Sequence, residues 1–158
     1  MKKINSLILA TLLLSLSFCH SVQHIPGSSR GDNAIIIKTN DSAEEAFRRF
    51  VQILSFDGYS IDYTDIELGL ITSGPKSTSR LNASMKINSS VMDGSITLTG
   101  LVSVDASVHL GYGVNATSGW NKVENTGMGG SVMQVAWGDL YSLAKKYPEG
   151  EIIFENRQ

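Results

Sequence analysis

The start of this chain constrains its fold more than any other feature. Lys2 and Lys3 precede an apolar run from Leu7 to Leu16, broken only by Thr11 and Ser15, and the chain's single cysteine, Cys19, closes it. A basic start, a short apolar stretch and small polar residues beyond it make the layout of a secretory signal segment. Spanning a bilayer takes about 20 predominantly apolar residues. Here Ser17, His20, Ser21, Gln23 and His24 arrive too early. The first 18 residues are therefore predicted to be a signal segment that leaves before folding. About 140 residues remain, enough for one domain with its own core and too few for two. With Cys19 the only thiol, no disulfide can form inside the chain. Removing Lys2 and Lys3, the only charged side chains before Arg30, takes the formal charge from −2 to −4. A mildly acidic chain lacks the clustered cations that displace counterions from phosphates, which argues against nucleic acid as a partner.

Leu16-Ser17-Phe18-Cys19 resembles the lipobox of bacterial lipoproteins. Leu16 and Ser17 fit that pattern, whereas Phe18 stands where Gly, Ala or Ser is usual. The resemblance implies cleavage before Cys19 and a diacylglyceryl group on its thiol, which would hold the protein at a membrane without spanning it. The alternative is ordinary cleavage after a small pair, Ser15 with Ser17 or Cys19 with Ser21. Residues 19–33 are small, polar and turn-rich and read as a flexible tether. Lipoproteins sent to the cell surface in some bacteria carry acids just after the cysteine. His20 to Gln23 contain none, so the resemblance places the domain on the periplasmic side of the cell envelope.

Residues 34–158 are expected to form one α+β domain. Ala34 to Thr39, with three consecutive isoleucines, reads as a strand. Ser42 and Glu45 make a capping box at the start of a helix. Its apolar face is Ala43, Ala46, Phe47, Phe50, Val51 and Leu54, with Glu44–Arg48 and Glu45–Arg49 as i,i+4 pairs opposite and Gly58 as its end. Tyr59, Ile61 and Tyr63 alternate as one face of a strand, and Leu70 to Ser73 follows as the next. Met85, Ile87 and Val91 alternate with polar residues up to the hairpin signal Asp93-Gly94, and Ile96, Leu98, Val102 and Val104 return. Residues 105–130 hold six glycines, the first half reading as a possible sheet extension and the second as a loop. Ser131 and Gln134 then open a second helix through Val132, Val135, Ala136, Leu140, Leu143, Ala144 and Tyr147. Pro148 and Gly150 stop it, and Glu151 to Glu155 reads as a short strand or tail. The predicted order is β-α-β-β-β-β-α, an antiparallel sheet with both helices on one face.

This order, the stretch Ser42-Ala43-Glu44-Glu45-Ala46-Phe47 and the turn Asp65-Ile66-Glu67-Leu68-Gly69-Leu70-Ile71 resemble TBP-like-fold domains of secreted Bacteroidota proteins. That family has no assigned activity, and a fold shared with a DNA-binding protein implies nothing about DNA.

Chemistry-bearing motifs are sparse. Gly27-Ser28-Ser29-Arg30-Gly31 matches G-x-S-x-G, but no strand precedes it and His109 is the only histidine within residues 34–158. His20 and His24 have i,i+4 spacing in a tether that need not be helical, so no metal site is expected. Asp57, Asp62, Asp65 and Glu67 read as solvated carboxylates rather than a calcium loop. Gly127-Met128-Gly129-Gly130 before a helix start could bind an anion through backbone N–H groups, but no phosphate-loop lysine follows. Trp137 and Tyr141, at helical spacing, are expected in the core or its rim, with Trp120 and Tyr112 as further candidates for a binding surface. The sequons at Asn40, Asn82, Asn88 and Asn115 read as chance matches. The sequence therefore predicts no enzyme and no cofactor. It predicts a membrane-anchored binding or accessory module with an envelope protein partner; the alternative is a periplasmic small-ligand carrier using a pocket between the sheet and residues 105–130, and a hydrolase acting through Ser29 ranks last.

Overall fold

The structure is a computed structural model that describes residues 24–79, 82–104 and 119–157. The signal segment, Cys19, His20, His109, Tyr112, Asn115 and the stretch 105–118 lie outside the described residues.

The fold is α+β, with an open antiparallel sheet of eight strands and two helices. Strand β1 (Ala34–Lys38) leads into α1 (Ala43–Phe56), then β2 (Ile61–Asp65), β3 (Leu70–Ser73), the two-residue β4 (Lys76–Ser77), β5 (Ala83–Met92) and β6 (Ser95–Val104). A two-residue β7 (Asn121–Lys122), α2 (Val132–Ala144) and β8 (Glu151–Glu155) complete it. The sheet order is β2-β3-β5-β6-β1-β8, with β4 on β5 and β7 on β6. The short β4 and β7 add to the predicted order. Glu151–Glu155 is a true strand, antiparallel to β1, so β1 becomes interior to the sheet and β8 its edge.

Alternation explains the core. Met85, Ile87 and Val91 of β5 and Ile96, Leu98 and Val102 of β6 point to one face, where they join Phe50 and Leu54 of α1 and Trp137, Leu140 and Leu143 of α2 in a single cluster. Gly94, at φ +71°, makes the hairpin between β5 and β6.

Three local expectations differ from the structure. Tyr63 does not share a face with Ile61. A register shift between them turns Tyr63 outward, leaving it 52% exposed, because one extra residue in a strand flips the parity of all that follow. Glu45 makes no ion pair with Arg49. Its carboxylate closes the capping box on Ser42, and Arg49 turns instead to Asp41 at 3.2 Å. Residues 24–33, expected to be flexible tether, are fixed to the domain. Ile25 is buried in the core, and Asn33 donates its backbone N–H to Glu155 O at 2.9 Å.

Candidate functional site

The segment that enters the domain is held by a knot of side chains. Ser28 Oγ donates to Asp32 Oδ2 (3.2 Å) and accepts from Asn125 Nδ2 (2.8 Å) and from the indole Nε1–H of buried Trp137 (3.2 Å). Asp32 also accepts from the Ser29 backbone N–H at 2.6 Å, and the main chains of residues 31–32 and 125 exchange two hydrogen bonds. The G-x-S-x-G match is thus a tight polar turn in which Ser29 is exposed and Ser28 ties the entering chain to α2. The Ser28 hydroxyl makes three hydrogen bonds, none to an imidazole. Each such bond contributes about 1 kcal/mol net, so the knot fixes the entry point.

The four acids that cluster in sequence separate in space. Asp57, the C-cap of α1, binds Lys76 Nζ at 3.0 Å and Lys146 Nζ with its other oxygen. Lys76 also donates to the Asp57 carbonyl and lies 4.7 Å from the Tyr59 ring centroid. Asp65 accepts from Leu68 N (2.9 Å) and the Tyr63 hydroxyl (3.2 Å), and Asp62 lies beside Gly74. Among the described residues no three His, Cys, Asp or Glu side chains are placed to share a metal ion.

Partial burial pushes the Asp57 carboxyl up, but hydrogen bonds and charge from Lys146 and Lys76 outweigh it and hold it below its ordinary value of 3.8. A carboxyl with a lowered folded-state pKa stabilises the fold above that ordinary value, and the contribution is lost as pH falls through the lowered one. Asp57→Asn is expected to cost about 1–2 kcal/mol at neutral pH. In urea titrations the gap between wild type and variant should then close in acid. A gap independent of pH would refute the charge network.

The glycine stretch before α2 spends its donors internally. Ser131 Oγ accepts from Gln134 N as predicted. Gln134 Oε1 does not return to the cap; it takes the Gly127 N–H (3.0 Å) and the Thr126 hydroxyl (3.4 Å). A shallow depression at the start of α1, lined by Ser42, Glu44, Glu45 and Arg48, has its polar groups committed to the capping box and the Glu44–Arg48 pair.

The aromatic candidates divide. Trp137 and Tyr141 pack on Phe154 with ring centroids 5.9 and 5.7 Å apart, in the core and at its rim as expected. Trp120 is 41% exposed.

The surface is differentiated along the strands. Ile35, just inside the start of β1, stands opposite Leu98 and through it Ser89, so the chain enters midway along the longer β5–β6 pair, whose far ends are Ala83 and Val104. Toward the Lys38 end of β1, about 10 Å farther along β5, lie the turn from β2 to β3 and the tip of the β5–β6 hairpin. Ile66, Leu68 and Met92 are 51%, 66% and 67% exposed there, with Tyr63 and Leu70 beside them. Val91 N donates to Gly69 O at 2.7 Å, which holds the β2–β3 turn against the last residues of β5. Sequence reading missed this apolar end. Its signal was Ile66, Leu68 and Met92 at turn positions that no core can cover.

No protein-family model matches the chain, and no curated protein matches it.

Proposed function

We propose that the protein is an exported, non-enzymatic accessory module of the cell envelope. A diacylglyceryl group on Cys19 anchors it on the periplasmic side, and the apolar end of its sheet docks onto an envelope protein. The exposure of Ile66, Leu68 and Met92 together carries this reading. Large apolar side chains gathered on an exposed turn are characteristic of protein contacts, and burying each one contributes roughly 2 kcal/mol. The lipobox resemblance supports the anchor. The described residues include no helix long and apolar enough to cross a membrane. The strand–helix–strand opening and the antiparallel sheet support a TBP-like reading of the fold.

The test is capture from crosslinked cells with wild type and with Leu68→Asp/Met92→Asp. Both side chains are exposed, so the thermal unfolding midpoint should stay put while recovery of the same partner falls at least about thirtyfold. Equal recovery from both proteins would remove the docking end from the account.

A further inference from the structure

The outer face of the sheet beside the entry segment has a surface of different character. Trp120, directly before β7, is exposed with Lys86 Nζ 4.9 Å from its ring centroid. The register puts Lys86 opposite Leu101 and Leu101 opposite Lys122, so both ammonium groups belong to the same outer face of the sheet. Lys122 Nζ donates to the Arg157 carbonyl at 2.7 Å, and Arg157 N donates to Asn33 Oδ1, which ties this group to the entry point. Exposed Arg30 lies in the entering turn itself. Among the described residues Arg30, Lys86 and Lys122 form no ion pair with a carboxylate. The apolar end of the sheet is different: Asp65, Glu67 and Asp93 flank its exposed residues.

Covalent geometry adds a constraint. Five residues separate Cys19 from buried Ile25, a reach of at most about 22 Å even when fully extended. An anchor on Cys19 therefore keeps the entry segment close to the bilayer. Beside that segment lie an exposed indole and two lysines with no carboxylate partner among the described residues. Indoles favour the headgroup region, and cations near an anionic surface are attracted within a Debye length.

We propose that the surface formed by Trp120, Lys86 and Lys122 is a membrane-contact face that lies against anionic phospholipid headgroups. This rests on the lipid-anchor reading of Cys19.

The test uses the full chain, purified from cells fed a tagged fatty acid and reconstituted into vesicles of phosphatidylethanolamine with phosphatidylglycerol, or of phosphatidylcholine alone. The chain has two tryptophans, and Trp137 is fully buried, so acrylamide quenching reports Trp120, with Trp120→Phe giving the baseline. Quenching should drop in the anionic vesicles and not in phosphatidylcholine. Lys86→Gln/Lys122→Gln should shift the equilibrium between docked and free domain about thirtyfold toward free, and salt should act in the same direction. Labelled protein whose Trp120 is equally quenched in both vesicles overturns the contact face and leaves the anchor standing. Absence of label on Cys19 overturns the anchor, and the contact face with it.

Discussion

Trp137→Ala is expected to lower the stability of the domain by about 3–5 kcal/mol, the usual cost of emptying a fully buried aromatic site. Trp137 is the largest fully buried side chain, and it serves two structures at once. Its ring packs on Phe154 of β8, and its indole N–H holds Ser28 of the entering chain. The substitution should therefore lower the thermal midpoint by roughly 10–20 °C and also release residues 24–33. Trypsin cleavage after exposed Arg30 reads the second effect. It should accelerate in Trp137→Ala well below the unfolding midpoint, and to a smaller extent in Ser28→Ala, which keeps the core intact. If Trp137→Ala unfolds at a lower temperature with no faster cutting at Arg30, the knot does not hold the entry segment.

Gly69→Ala is the second large effect. Gly69 sits at φ +65°, and a Cβ there would collide with the carbonyl oxygen of Val91, a backbone atom that cannot swing aside. Strain in the left-handed region and overpacking each cost about 1–3 kcal/mol, so a loss of about 3 kcal/mol or more is expected. The Val91 N–H to Gly69 O bond holds the β2–β3 turn to the end of β5, so the same change should disperse the apolar end and weaken partner capture. Gly127→Ala is the matched control. Gly127 also has positive φ, at +68°, but nothing lies within 4 Å of the added carbon, so only the roughly 1–2 kcal/mol of backbone strain remains. Equal unfolding midpoints for the two variants would show that the close approach at Gly69 is not rigid.

What the sequence made legible was local and periodic. The capping box of α1 depends on residues three apart, and the β5–β6 hairpin announces itself by alternation on both sides of Asp93-Gly94. Distant partners were not legible. Asp57 meets Lys76 and Lys146, and Ser28 meets Asn125 and Trp137, across separations that no window along the chain can relate. The bulge that turns Tyr63 outward leaves no residue signature in β2. The docked entry segment reads as a linker because Gly, Pro and Ser serve tight turns and flexible chains equally well. Ile25, the one large apolar side chain between Gln23 and Ala34, was the available clue. The apolar end was legible only in parts: the turn holding Ile66 and Leu68 could be read, but its meeting with the last residues of β5 could not.

Photo-crosslinking from position 68 in living cells tests the central claim most directly. With a photo-activatable residue in place of Leu68, the account expects one dominant protein adduct in the envelope fraction. The same residue in place of Ser29, exposed in the entering turn, should give that adduct only weakly. No adduct from position 68, or equal adducts from both positions, would contradict docking through the apolar end.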